Sequence, residues 1–180
     1  MCYNGCMYLI TAYFDDKTNT ILQHHIDTIA EATGNKYMTD NHVPPHMTLC
    51  AFEARSAEVL KPGFEVFAAG MKQTELIIAS VAFFFPYVMY AAPVPSRILT
   101  EIPGQIAQIY ADTAEVSISK FYGVDHWMPH ITLAKRLNEG QMQKALEVMR
   151  SGFSPITGFI TDVGLSEVNP HKDVERIRIK

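Results

Sequence analysis

The sequence predicts an α+β fold made of two diverged copies of one unit, set as a pseudo-twofold pair of lobes around a cleft. Three observations predict it. The order strand, helix, loop, Pro-His-x-Thr-Leu strand, helix occurs twice. The motif itself repeats almost letter for letter, as Pro45-His46-Met47-Thr48-Leu49 and Pro129-His130-Ile131-Thr132-Leu133. Of the 180 residues, 48% are apolar, enough to bury a substantial core. The lobes cover roughly residues 7–85 and 87–180. No Gly/Ser-rich linker lies between them, so they are expected to pack as a single domain over residues 1–180.

Each element follows from local pattern. Met7–Phe14 reads as a strand. A helix follows, with Leu22, Ile26 and Ile29 on one face and Gly34 as its stop. The polar stretch Asn35–Pro44 reads as a loop, and the first motif opens the strand His46–Phe52. A helical segment is expected between Ser56 and Met71, interrupted at Pro62 and Gly63. Leu76–Pro95 carries no charge and is long enough to span a bilayer. However, Pro86 breaks it, Pro93 and Pro95 close it, and β-branched and aromatic residues fill it. Those features predict two buried strands joined at a turn, with no membrane partner.

The pattern then restarts. Ser96 caps a helix containing Ile98, Leu99, Ile102, Ile106 and Ile109, kinked or restarted at Pro103. The polar-aromatic stretch Lys120–Pro129 leads to the second motif strand, His130–Leu137. Asn138 and Glu139 open a helix with Met142, Leu146 and Met149 on one face, closed by Gly152. Phe159–Val168 and Val174–Lys180 finish the chain, the latter alternating with period two as a half-exposed strand.

Charge and cysteine usage narrow the function. A net charge of −4 lacks the basic footprint of a protein that grips long duplex nucleic acid, but is compatible with a small anion held by a few local donors. The three cysteines, Cys2, Cys6 and Cys50, form no framework. Their odd number points to a reducing, cytoplasmic compartment, with Cys50 a small buried hydrophobe. The first apolar run lacks a basic start and runs straight into Asp15 and Asp16, unlike a signal peptide.

The repeated motif carries the chemistry. In a strand, residues two apart point the same way, so His46 projects with Thr48, and His130 with Thr132, while Met47, Leu49, Ile131 and Leu133 face the interior. Facing lobes would bring two imidazoles and two hydroxyls to one pocket. Imidazole titrates near neutrality, so one ring can be a neutral base and the other a protonated acid. Hydrolysis of a cyclic phosphate needs both, and hydroxyls suit the non-bridging phosphate oxygens. No metal or cofactor is required in that scheme.

The tetrapeptides His46-Met47-Thr48-Leu49 and His130-Ile131-Thr132-Leu133 resemble the paired signature of the 2H phosphoesterase superfamily. The nearest branch is that of bacterial 2'-5' RNA ligases and RNA 2',3'-cyclic phosphodiesterases. The resemblance covers nearly the whole chain, including the early strand and helix and the segment Ala91–Ser96. It implies a bilobal α+β fold in which two antiparallel-rich sheets line a central groove, with helices outside. It also implies His46 and His130 as the acid/base pair and Thr48 and Thr132 as phosphate ligands. The sequence does not say which histidine is which; the working assignment is His46 as acid and His130 as base. Members of the branch often carry basic residues around the groove. This chain offers Lys135 and Arg136 after its second motif and no matching pair after the first. That favours a nucleotide or short RNA end bearing a cyclic phosphate over long RNA, bound by a monomer.

Other residues carry weaker signals. Tyr122 and Trp127 precede the second motif and suit either base stacking or packing. His42 and His126 stand four residues before the motif histidines, but the prolines between them argue against a helix. In extended chain such rings start about 13 Å apart, and no Cys or carboxylate completes a zinc set. His171 follows Pro170 in a polar turn and has no evident partner. Three other functions compete with the phosphodiesterase: a non-catalytic nucleotide or RNA-end binding module, a metallohydrolase using the four motif-proximal histidines, and a duplication without a site.

Overall fold

The computed structural model describes residues 6–168 and 171–180; Cys2 lies outside them. The described residues form eight strands and five α-helices. In chain order these are β1 (Cys6–Phe14), α1 (Asp16–Thr33), α2 (Tyr37–Asp40), β2 (Met47–Ala54), α3 (Ala57–Gly70), β3 (Thr74–Phe84) and β4 (Val88–Pro93). Then follow α4 (Arg97–Ile109), β5 (Val116–Ile118), β6 (Ile131–Ala134), α5 (Glu139–Gly152), β7 (Ile156–Glu167) and β8 (Lys172–Arg178).

Local signals fix the helix ends. Asp15 caps α1 by accepting from the Thr18 amide at 3.0 Å, and Gly34 ends it at φ 70°. The same Asp15 carboxylate accepts from the Phe159 amide at 2.6 Å, so the cap also ties α1 to β7. Asn138 and Gln141 form a reciprocal capping box at the start of α5. The buried face of α5 is Ala145 and Met149, with Leu146 exposed, one position round from the expected stripe.

Pro62 does not interrupt its helix, α3, and the helix at Pro103, α4, does not restart. A proline in a helix interior costs about 3 kcal/mol. α3 buries Leu60, Phe64 and Phe67, and α4 buries Leu99, Ile102 and Ile106. Each such side chain contributes about 1.5–3 kcal/mol on burial, so packing outweighs the lost hydrogen bond in both helices.

The apolar run from Leu76 folds as the β3–β4 hairpin, turning at Phe85–Tyr87. Among the described residues no helix is long and apolar enough to cross a membrane.

All strand pairings among the described residues are antiparallel, and the two expected sheets are joined into one hydrogen-bonded system. The path β1-β2-β6-β4-β3-β7 closes on itself through a β7–β1 ladder, with β8 added to β7 and β5 to β2. The halves of the chain interlock: β7 pairs with β1 along Tyr8–Phe14 and with β3 along Thr74–Ile78. Where the two motif strands meet, β2 and β6, Met47 pairs with Ile131.

Candidate active site

That one pair sets the site. Carrying the antiparallel register one residue each way puts His46 across from Thr132 and Thr48 across from His130. All four side chains therefore share one face, while Met47, Leu49, Ile131 and Leu133 are buried on the other. Carrying the β1–β2 register one residue past Ala12–Met47 places Tyr13 beside His46, and Thr11 pairs with Thr48.

The shared face opens on a cavity of about 660 Å³ lined by His46, Thr48, His130 and Thr132. Lys135, Arg136 and Tyr122 also line it. Trp127 does not. It is half-buried against the core, and its indole N–H donates to the Thr48 carbonyl at 3.0 Å, pinning the preceding loop to β2. His42 lies on a separate shallow depression beside α1, and His126 is exposed, so the four motif-proximal histidines do not converge. Among the described residues no group of three or more His, Cys, Asp or Glu side chains is placed to hold a metal.

Each motif histidine is restrained the same way. His46 Nδ1 lies 2.8 Å from the Pro44 carbonyl, and His130 Nδ1 lies 2.9 Å from the Met128 carbonyl. A carbonyl only accepts, so both Nδ1 atoms carry a proton, and in the neutral rings the free lone pair sits on Nε2. Burial pushes His46 down to about 4, against a weaker upward pull from the Pro44 carbonyl, with the His171 and His130 rings adding like-charge depression. Burial also lowers His130, opposed by the Met128 carbonyl. At neutral pH both imidazoles are neutral, and an anion between them would favour protonation.

Sequence reasoning missed part of the wall. Tyr37, Met38, Asn41 and Val43 line the cavity from the stretch read as a loop, part of which forms α2. A polar segment gives no signal of which wall it covers. Tyr37 supports the two cations: the Arg136 guanidinium lies 4.5 Å and the Lys135 Nζ 6.0 Å from its ring centre. Arg136 adopts a left-handed backbone, φ 62°, and its carbonyl accepts from Asn35 Nδ2 at 3.1 Å. His171, without a partner in sequence, stacks on His46 at 4.7 Å and bonds the Tyr13 hydroxyl at 3.0 Å.

The scaffold and its paired His-x-Thr motifs define a protein of the 2H phosphoesterase class. More narrowly, the chain belongs to the 2'-5' RNA ligase superfamily, which matches residues 20–171. Solved structures share the fold. One described as a phosphoesterase is 16% identical, with 98% of this chain and 99% of that chain covered and a TM-score of 0.66. Escherichia coli LigT complexed with 3'-AMP is 14% identical, with 98% and 99% covered and a TM-score of 0.65. A Thermus thermophilus protein is 17% identical, with 96% and 97% covered and a TM-score of 0.62. A comparison with curated proteins finds no match.

Proposed function

We propose that the chain is a metal-independent phosphodiesterase that hydrolyses 2',3'-cyclic or related phosphodiesters of nucleotides or short RNA ends. The observation that carries this reading is the matched restraint of His46 and His130. Both Nδ1 protons are committed to backbone carbonyls, and both rings line one cavity with a threonine beside each. A water oxygen attacks phosphorus as the base takes its proton. The bond to one ribose oxygen breaks as the acid protonates that oxygen. Thr48 and Thr132 hydrogen-bond the non-bridging oxygens. With an RNA 5'-hydroxyl in place of water, the same groups run 2'-5' ligation: the 5'-oxygen attacks phosphorus as the base takes its proton, and the bond to the 3'-oxygen breaks as the acid protonates it.

The roles are assigned opposite to the sequence expectation. His46, driven to about 4, stays neutral more readily and suits the base; His130 suits the acid. Nucleotide substrates fit the cavity volume and the Lys135–Arg136 pair. Solved LigT structures contain 3'-AMP, NADP+ and ATP, which supports the same ligand class.

The test is turnover of 2',3'-cyclic nucleotides and short cyclic-phosphate-ended RNAs in chelator. Either His46→Ala or His130→Ala is expected to cost roughly a hundredfold or more, with the double variant little worse. Full turnover in the double variant overturns the assignment. Binding without turnover in the unmodified protein favours a non-catalytic nucleotide or RNA-end module.

A further inference from the structure

His46 and His130 hold equivalent places in the repeat, yet their surroundings differ. His130 is packed edge-on by aromatic rings, Phe84 at 4.9 Å and Tyr90 at 5.7 Å. His46 is covered by a third imidazole, His171, whose plane lies 24° from its own at 4.7 Å. His171 immediately precedes β8 and lines the same cavity.

The third ring is fixed from behind. The Tyr13 hydroxyl lies 2.5 Å from Asp173 Oδ1 and 3.0 Å from His171 Nε2. Burial holds the Tyr13 phenol up at about 12, so it keeps its one proton. That proton goes to the carboxylate, which only accepts, so His171 Nε2–H donates to the Tyr13 oxygen. Ser166 gives Asp173 Oδ1 a second donor at 2.6 Å, and Thr11 backs Ser166 at 3.3 Å. Gly164 leaves the space for this network. A Cβ there would stand 2.8 Å from the Tyr13 ring and 3.2 Å from Asp173 Oδ1.

We propose that His171, held by Tyr13, Asp173 and Ser166, is a positioning residue that sets the ring plane and protonation of His46 and so makes two equivalent histidines unequal. The charged and titratable groups around the pair are Tyr13 on β1, His130 ahead of β6, and Asp173 and Arg176 on β8. Asp162 on β7 pairs with Arg176 at 3.5 Å, and Lys135, Arg136, Tyr37 and Tyr122 complete the ionisable cavity lining. A proton on His171 repels one on His46, while Asp173 attracts it.

Two variants give opposite signs. His171→Ala removes a like charge and admits water, so the His46 titration followed by NMR of its ring protons is expected to rise by about half a unit or more. Asp173→Asn removes the opposing charge and is expected to lower it. This readout needs no turnover, so it stands apart from the phosphodiesterase reading on which the kinetic effect rests. In cyclic-nucleotide hydrolysis, His171→Ala is expected to lower kcat about tenfold with KM within about twofold. His171→Phe keeps a flat ring against His46 and is expected to recover most of kcat without restoring the wild-type pH profile. A His46 titration unchanged in both His171→Ala and Asp173→Asn, or a KM effect alone, overturns the proposal.

Discussion

Met47 on β2 lies directly across from Ile131 on β6, and both are fully buried. This pair locks the two motif copies into one register. Truncating either residue is expected to cost about 2–5 kcal/mol, because a cavity opens at a site that cannot collapse. Urea unfolding of Met47→Ala and Ile131→Ala checks the figure. Turnover in the folded fraction should fall as well, since register sets where all four polar groups point. A variant with reduced stability and full turnover would show that the pair does not position them.

Thr48→Val and Thr132→Val remove one hydroxyl each and keep a β-branched shape suited to a strand. Each is expected to lower kcat roughly a hundredfold while the melting temperature changes little. Parallel calorimetry and steady-state kinetics separate the two effects. Equal losses of stability and activity would make these threonines packing residues.

The depressed histidines predict an acid-labile fold. His46 is at about 4 in the folded chain and near the ordinary 6.5 when unfolded. Between those values the unfolded chain binds a proton that the folded chain does not. The His46 contribution is therefore full above 6.5, falls as pH drops toward 4, and is lost below. His46 alone accounts for up to about 3 kcal/mol. His25, His130 and His171 are lowered too, and act in the same direction. Urea midpoints at pH 7 and pH 5 test this, and His46→Gln should flatten the slope.

Arg136 makes opposite demands on stability and binding. Its left-handed backbone, φ 62°, suits glycine, and relieving it gains about 1 kcal/mol. Arg136→Gly is thus expected to raise the melting temperature by about 2–4 °C. The same change removes a cation from the cavity and should raise KM for a phosphate-bearing substrate several-fold. A rise in stability with no change in KM would place Arg136 outside the binding surface.

Most of the candidate site's lining was legible because its signals are local. Alternation in the motif strands identified the inward face, Gly34 and Asn138 marked helix ends, and the break at Pro86 revealed a hairpin. What escaped depends on long-range pairing. His171 reaches His46 only because β8 is laid onto β7, and β7 onto β1. A lone histidine in a polar turn carries no trace of that. The α5 face was misjudged at Leu146 because Ala145, small and weakly apolar, is the residue that packs. Pro62 misled because its cost is local, whereas the burial that overrides it is tertiary.

The closed circuit of strands has a mechanical consequence. β7 is stitched to β1 and β3 at once, so the walls around the histidines cannot swing apart without tearing hydrogen-bonded ladders. The ladders therefore predict a recess that acts as a mould and not a jaw. On that basis, choice among ligands is expected to rest on exclusion by a shape set before arrival.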